Sequence, residues 1–459
     1  MLRTTKIKQV YWLLPTVFGI LIILGLYPGL GGEGAQRNIA TYREKMDNSG
    51  FLVPLIYGYW PDFIFGWLYS LALFQISIFS IGMKLIFDKL ENQRIRRFII
   101  PIYVFGVIFA LQVVRDATAF SFFILAFGIT LRASSSKNIT RLILSIIGIC
   151  LIIIGCLFKP IIAPIVGLIY FVFFEKLYKV FNSKLVRTLV ALTISFSPYL
   201  IDKEITQELK LNKGYAEQQL FIYDVTKMYC WGHNTESIEF AKSSIKPFLR
   251  VGADHESLCA SLEPMGWDDL RRSLPEVSKS PSIVWHTGED PTIVNKLISD
   301  WIKLIRLSPF EWLQIKIIDA SQVLVMANAF YIAPVVQNDT INPTLTIGNS
   351  VLKLIFIPIN ILDKLRVFSL GFALLIGLFL LYINGRVIKF DKKIDIIIYK
   401  FIMINLLTWS MLTMLFIANP GRYTLPFVLL SYLYLIVSLD GHKEHFTKLN
   451  YQFKKVKNG

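Results

Sequence analysis

Residues 98–131 read FIIPIYVFGVIFALQVVRDATAFSFFILAFGITL, two apolar runs separated only by the charged pair Arg115 and Asp116. Each run approaches the length of about 20 residues with which an α-helix crosses the hydrocarbon core of a bilayer. Charged side chains are costly inside a membrane, whereas a tight turn holds them at its surface. The stretch therefore predicts a helical hairpin that crosses a membrane twice and turns at Val114–Ala117.

The same pattern extends over the chain of 459 residues, in which 54% of the residues are hydrophobic and 17% are charged. Apolar runs predict spans near residues 10–27, 62–83, 98–114, 117–131, 142–158, 161–174, 186–200, 366–384, 395–418 and 423–439. The first run is longer than the apolar part of a signal peptide, so we interpret it as a retained span. We therefore expect an all-α polytopic membrane protein with about 10 to 12 transmembrane helices and one large extracytoplasmic lobe.

The loops between these runs are alternately rich and poor in Lys and Arg. With a cytoplasmic N-terminus, the inside segments hold twenty-four such residues, and the short outside loops hold six: Arg37, Arg43, Lys45, Arg115, Lys159 and Arg422. Cytoplasmic loops of membrane proteins carry the excess of Lys and Arg. Both termini are therefore expected in the cytoplasm. The same residues account for the net charge of +16, so nucleic acid is not an expected partner.

Polarity divides the chain into four predicted parts. These are an N-terminal membrane domain of about seven spans (1–200), an extracytoplasmic lobe (201–310), interfacial or re-entrant helices (311–365), and a C-terminal membrane domain of about three spans with a basic cytoplasmic tail (366–459). In the lobe, the apolar residues from Val294 to Ile305 recur at helical spacing and indicate an interfacial amphipathic helix. The motif from Ser308 to Glu311 has the form of a capping box that begins the next helix.

Two of the four cysteines, Cys230 and Cys259, lie in the predicted lobe, where an oxidising compartment permits a disulfide. A bridge between them and two free buried thiols are the alternatives, and the sequence favours the bridge. Cys150 and Cys156 lie in an apolar span and are interpreted as small core residues. No pair of His or Cys ligands has the close spacing of a zinc site, so no metal site is predicted.

Acids and cations occur together in the sparse outside loops. Glu33 and Asp47 lie in the first of these loops, while Arg115, Lys159 and Arg422 lie at later helix ends. A carboxylate next to several cations at a membrane surface suits transfer from a lipid phosphate, since cations bind the phosphate and the carboxylate accepts a proton. Each cation taken alone has a simpler interpretation, in which it contacts lipid headgroups at the end of a span.

The order of these features resembles a known family. A first span leads to Tyr27-Pro28-Gly29 and Glu33, and Pro54 and Tyr57 precede the second span. An Arg-Asp pair at a hairpin tip, a large outside loop and Arg422-Tyr423 before the last span then follow. This layout resembles the GT-C type of polytopic glycosyltransferase, and among them the bacterial and phage-borne enzymes that modify O-antigen or other envelope glycans. The Asp-Glu pair of better-known members is absent here.

The resemblance implies a location in the bacterial inner membrane and sugar transfer from a polyprenyl-phosphate donor to a glycan acceptor. Glu33, or else Asp47, would be the base or charge stabiliser. Arg115, Lys159 and Arg422 would bind the donor phosphate. Asp116, Asp224 and Trp231 would bind the acceptor or support the site. No fixed cofactor is implied, and a divalent cation stays open.

Alternatives stay open at several of these positions. Trp231 is favoured as part of the lobe's hydrophobic core, and Asp116 as the ion-pair partner of Arg115. For the whole chain, an O-antigen polymerase is the nearest alternative, although the first-loop acids argue against it. A lipid-linked oligosaccharide flippase or a transporter is the alternative from another class. The chain has no convincing internal repeat and the interiors of its spans are nearly free of charge, which disfavours this alternative.

Overall fold

The structure is a computed structural model. It describes residues 67–110, 115–173, 183–210, 218–248, 291–325, 369–384, 392–415 and 420–440, with the short pieces 17, 46–47, 52, 55–56, 212–213, 258–259 and 367. The first predicted span, apart from Val17, and the first-loop acid Glu33 lie outside these residues. Nearly all of the described residues are helical, as expected for an all-α membrane protein.

Thirteen α-helices follow one another along the described part of the chain. They are α1 (Trp67–Lys89), α2 (Gln93–Ala110), α3 (Arg115–Ser135), α4 (Asn138–Leu157), α5 (Ala163–Phe173), α6 (Lys184–Glu208), α7 (Gln218–Trp231), α8 (Thr235–Ile245), α9 (Pro291–Leu307), α10 (Pro309–Val325), α11 (Leu370–Ile383), α12 (Lys392–Leu415) and α13 (Pro420–Asp440). Two 3₁₀ turns, Pro160–Ile162 and Lys246–Phe248, follow α4 and α8. Two short parallel strands, β1 (Met46–Asp47) and β2 (Asn212–Lys213), pair with each other.

Among the described residues, five helices are long and apolar enough to cross a membrane. Their apolar segments are Leu71–Lys89, Arg115–Ser135, Ile139–Leu157, Lys184–Glu208 and Lys392–Thr413. Three further apolar helices are shorter: Pro160–Val172, Leu370–Ile383 and Thr424–Asp440. All of these segments overlap predicted spans, which supports the membrane class of the chain.

Rows of exposed apolar side chains show which helix faces require a lipid environment. On α6, the side chains of Leu185, Leu189, Leu192 and Phe196 are exposed at helical spacing. On α4, Ile139, Ile143 and Ile146 form a similar row. Soluble proteins seldom expose apolar surface on this scale, whereas the hydrocarbon core of a bilayer covers it without cost.

Close contact between α1 and α3 depends on glycine. A Cβ atom added to Gly82 would lie 2.6 Å from the backbone nitrogen of Leu125, and one added to Gly128 would lie 2.6 Å from the carbonyl oxygen of Gly82. Small residues allow helix backbones to approach one another in membranes, where apolar burial alone drives little association. A buried hydrogen bond from Gln75 to the Thr118 hydroxyl joins the same two helices.

Contacts between helix ends agree with spans that alternate in direction. Lys89 at the end of α1 contacts Ser135 at the end of α3. The Asp440 carboxylate at the end of α13 accepts the backbone N–H groups of Glu91 and Asn92, at 2.9 and 3.0 Å. All of these residues belong to the predicted cation-rich side. The ends of α1, α3 and α13 therefore lie together at one end of the bundle, as the predicted topology requires.

Helices α7 to α10 form a second hydrophobic cluster, distinct from the large core of the membrane helices. Cys230 on α7 and Cys259 form a disulfide with a Cα–Cα distance of 5.4 Å, so the structure contains the bridge that the sequence favours. Helix α9 has the predicted amphipathic pattern, but Val294, Leu297 and Leu304 on its apolar face are buried within the protein. The apolar face of α9 packs in this cluster and does not lie on a membrane surface.

Helix α10 begins where the sequence predicts, but its start is stabilised differently. Pro309 is its first residue, and the Trp312 N–H donates to the carbonyl oxygen of Ser308. Within the described part of the chain, the buried Ser308 hydroxyl makes no hydrogen bond. The Glu311 carboxylate accepts the backbone N–H groups of His233 and Asn234, each at 2.8 Å, in the connection between α7 and α8. The predicted capping box is therefore wrong, because Glu311 is used to join two elements.

Candidate functional site

The end of the bundle opposite the Asp440 contacts carries the predicted phosphate-binding residues. Helix α3 begins at Arg115, Lys159 lies in the turn that follows α4, and α13 begins at Pro420, two residues before Arg422. Asp116 lies in the first turn of α3, where the positive end of the helix dipole favours a carboxylate. The start of α3, the turn after α4 and the start of α13 therefore bring these cations and Asp116 to one end of the bundle.

Asp116 and Lys159 form a buried ion pair at this end. The Lys159 Nζ atom donates to Asp116 Oδ1 at 2.6 Å, and only 4% and 5% of the two side chains are exposed. The rings of Phe122 and Phe158 stack next to the pair with a centroid distance of 5.8 Å. The sequence alone favours Arg115 as the partner of Asp116. The structure pairs Asp116 with Lys159 because consecutive helical residues point in different directions, whereas the turn after α4 packs against α3.

An apolar cavity of about 40 Å³ lies below this end. Helices α3, α4, α5 and α13 line it with Phe123, Phe127, Ile152, Val166, Ile169, Tyr170, Phe427 and Leu430. Asp116 precedes Phe123 by seven residues and Arg422 precedes Phe427 by five, so both helix starts lie about 7–10 Å beyond the cavity in the same direction. The backbone of Arg422 is therefore at the same end of the bundle as Arg115 and Lys159.

The predicted base Asp47 is placed by its backbone. In β1, Asp47 is paired with Lys213 of β2, and β2 begins four residues after α6 ends at Glu208. Helix α6 runs from the cation-rich side to the side that carries Lys159, so β1 lies on the side of Arg115 and Lys159. The other predicted base, Glu33, lies outside the described residues.

Asp224 on α7 lies in the second hydrophobic cluster, where only 1% of its surface is exposed. The Lys316 Nζ atom donates to Asp224 Oδ1 at 2.7 Å. The indole N–H groups of Trp301 and Trp312 donate to Oδ2 at 3.0 and 3.3 Å. A carboxylate that accepts from three donors and is closed to water joins α7, α9 and α10. In this geometry it is not available to an acceptor sugar.

A second ion pair lies next to Asp224. Lys227 on α7 contacts Asp319 on α10, and the Lys316 and Asp319 side chains approach to 3.9 Å. The Lys227 ammonium also lies 4.1 Å from the ring centroid of Tyr223 and 5.0 Å from that of Trp231. Burial lowers the pKa of Lys227 and raises the pKa of Asp319, and the attraction between the two opposes both shifts. Trp231 is part of this cluster and packs against its core.

Sequence reasoning missed Lys227, Lys316 and Asp319. The available signal was a pair of opposite charges three residues apart on each of two helices, Asp224 with Lys227 and Lys316 with Asp319. That spacing places both charges of a pair on one helix face, but solvent-exposed helix faces also carry such pairs. Only the packing of α7 against α10 distinguishes a buried network from solvated surface pairs.

Among the described residues, no group of three or more His, Cys, Asp or Glu side chains could hold a metal ion. Comparison of the chain with models of protein families, with curated proteins and with solved structures found no match in any of the three.

Proposed function

We propose that the chain is an integral membrane glycosyltransferase that moves a sugar from a polyprenyl-phosphate donor to an envelope glycan. In this proposal, 10 to 12 spans cross a bacterial inner membrane, with the bundle end of Arg115 and the α7–α10 cluster outside the cytoplasm. The observation that carries the proposal is the gathering of Arg115, Lys159 and the start of α13 at one end of a membrane bundle.

The step requires a cationic site and a base at the membrane surface. An acceptor hydroxyl attacks the anomeric carbon of the donor sugar, and the bond between that carbon and the phosphate oxygen breaks. The phosphate leaves with its polyprenyl chain, and the acceptor proton passes to a carboxylate, Asp47 or Glu33. Arg115 and Arg422 stabilise the negative charge that grows on the leaving phosphate, for which the planar donor fork of arginine is well suited.

Lys159 takes part in this step only when the donor phosphate is bound. Its ammonium is neutralised by Asp116 in the structure. A phosphate that approaches this end brings more negative charge than one carboxylate, and it would compete with Asp116 for the ammonium. In the absence of donor, the pair holds the turn after α4 against the start of α3 and thereby positions Arg115.

Transport is less well supported by the same residues. Lys400 on α12 is the exception among the described apolar helices, whose other Asp, Glu, Lys and Arg residues lie near the helix ends. Carriers that work by alternating access place ionisable groups or broken helices near the middle of the membrane. The arrangement of charges therefore suits chemistry at the membrane surface.

The test uses two variants of the proposed base, Asp47→Asn and Glu33→Gln, expressed in a strain that carries no other copy. Removing a general base typically slows a reaction by about 10²- to 10⁴-fold. We therefore expect mass spectrometry of extracted envelope glycan to show loss of the added sugar in at least one variant. The matched control is Asp88→Asn. Asp88 is exposed in a surface pair with Lys84, at the end of the bundle opposite to Arg115.

Wild-type levels of the added sugar in both Asp47→Asn and Glu33→Gln, at normal membrane expression, would contradict the proposed base. A shortened distribution of repeat units, with each unit's mass unchanged, would identify polymerase activity. Loss of a single sugar mass from every unit would identify decoration of a finished glycan.

A further inference from the structure

Helix α10 presents an apolar row that no part of the described chain covers. The exposed fractions of Phe310, Leu313 and Ile317 are 84%, 47% and 60%. Their spacing of three and four residues places them on one face of the helix. The opposite face carries Ile315 and Lys316, which are buried in the second hydrophobic cluster. The orientation of α10 is therefore fixed by its buried face, and the apolar row points away from the cluster.

The C-terminal half of α10 is attached to the membrane helices. The Trp409 indole N–H on α12 donates to the carbonyl oxygen of Ala320 at 2.8 Å. The carbonyl oxygen of Leu324 lies so close to α11 that a Cβ atom added to Gly371 would be 2.7 Å from it. Trp409 precedes Leu415, the last described residue of α12, by six residues, which corresponds to about 9 Å along the helix. Helix α10 therefore contacts α12 within its apolar segment Lys392–Thr413.

Helix α11, which contacts α10, also has an exposed apolar row. Beyond Gly371, helix α11 exposes Leu375, Leu378 and Phe379. Helix α11 is an apolar helix of the membrane bundle, so we expect lipid to cover its exposed side chains. The contact between Leu324 and Gly371 thus joins the helix that carries one exposed row to the helix that carries the other.

Helix α9, which leads directly into α10, exposes basic side chains. Lys296, Lys303 and Arg306 are exposed, and their spacing places them along one side of the helix. Asp300, the one acidic residue in the sequence of α9, is buried. The outward side of α9 is therefore positively charged without compensation from its own acidic residue.

We propose that α9 and α10 form a contact surface for anionic lipid in the leaflet reached by the outer end of α12. Phe310, Leu313 and Ile317 enter the acyl region, and Lys303 and Arg306 lie at the level of the lipid phosphates. Cations next to an inserted apolar row are the arrangement by which interfacial helices bind anionic membranes. This surface is the reverse of the one expected from the sequence, because the apolar face of α9 is used inside the protein.

The apolar half of this surface is tested by spin labelling of the full chain in vesicles of phosphatidylcholine and phosphatidylglycerol. The background carries Cys150→Ala and Cys156→Ala, and the Cys230–Cys259 disulfide stays intact. Nitroxide labels are attached at Phe310→Cys, Leu313→Cys or Ile317→Cys, with Glu239→Cys on α8, which is exposed, as the matched control. We expect higher oxygen and lower NiEDDA collision rates at the three α10 positions than at position 239. NiEDDA collision rates equal to those at position 239 would overturn the proposal.

The charged half is tested with the label at position 317. Each cation close to an anionic surface favours the bound state by about fivefold, so Lys303→Gln with Arg306→Gln should lower the ratio of lipid-exposed to water-exposed label by about 25-fold. The matched control is Lys242→Gln, since Lys242 is exposed on α8. Equal ratios for the double variant and the control, or equal ratios with and without phosphatidylglycerol, would overturn the role of the two cations. Neither measurement depends on sugar transfer.

Discussion

At the residue scale, the pair of Asp116 and Lys159 connects stability with the proposed chemistry. Asp116→Asn removes the carboxylate that Lys159 contacts at 2.6 Å in a buried position. Breaking a buried ion pair by removing one partner costs about 3–5 kcal/mol, because a buried charge loses its compensation. We expect a loss of this size in the free energy of unfolding, measured by denaturant titration in detergent.

Asp88→Asn is the control for this prediction. Asp88 pairs with Lys84 at 3.4 Å, but both side chains are about half exposed, and exposed pairs contribute only about 0–1 kcal/mol. Equal unfolding free energies for Asp116→Asn and Asp88→Asn would show that the buried pair does not stabilise the outer end of the bundle.

The pair of Lys227 and Asp319 makes a second residue-scale prediction. Asp319→Asn should destabilise the protein by about 3–5 kcal/mol, since Lys227 is then buried without its closest carboxylate. The double variant Lys227→Met with Asp319→Leu should recover most of this loss, because apolar residues of similar volume need no compensation for burial. Denaturant titrations of Lys227→Met, Asp319→Leu and the double variant measure the coupling energy. Additive effects of the two substitutions would contradict a direct pair.

At the element scale, the start of α10 separates two explanations of the same motif. A capping box makes Ser308 the important residue, and its replacement by alanine would cost about 1 kcal/mol. In the structure the Ser308 hydroxyl has no hydrogen bond among the described residues, whereas the Glu311 carboxylate accepts two backbone N–H groups at 2.8 Å. Hydrogen bonds to charged groups contribute about 1.5–3 kcal/mol each.

We therefore expect Ser308→Ala to leave the unfolding free energy nearly unchanged and Glu311→Gln to lower it by about 2 kcal/mol or more. Hydrogen exchange should also become faster at the amides of His233 and Asn234 in the Glu311→Gln variant. A larger loss of stability for Ser308→Ala than for Glu311→Gln would contradict this interpretation and support the capping box.

The elements also show what the sequence could reveal. The helices at residues 98–131 were predictable because length and apolarity alone define a membrane span, and the structure describes helix α2 as far as Ala110 and helix α3 from Arg115. The helical pattern of α9 was equally clear, yet periodicity identifies an apolar face and not its partner. The contact between Lys227 and Asp319 joins residues 92 positions apart, and it depends on helix packing that no local pattern encodes.

At the scale of the whole molecule, orientation decides whether the proposed chemistry has its substrate. The contacts of Asp440 with Glu91 and Asn92 define one end of the bundle, and the pair of Asp116 and Lys159 lies at the other. The excess of Lys and Arg predicts that the first end faces the cytoplasm. The disulfide between Cys230 and Cys259 agrees with this assignment, because disulfides persist mainly in oxidising compartments.

Labelling of single cysteines tests this orientation in intact cells. Lys137→Cys lies at the start of α4, at the end assigned to the cytoplasm, and Ser243→Cys lies on α8 in the cluster that carries the disulfide. Both positions are exposed, so access to reagent depends only on the side of the membrane. In a background of Cys150→Ala and Cys156→Ala, we expect a membrane-impermeant maleimide to label position 243 in intact cells, and position 137 only after permeabilisation. The reverse pattern would place Arg115 and Lys159 in the cytoplasm, away from any donor exposed on the outer leaflet, and the proposed sugar transfer would then fail together with the assigned topology.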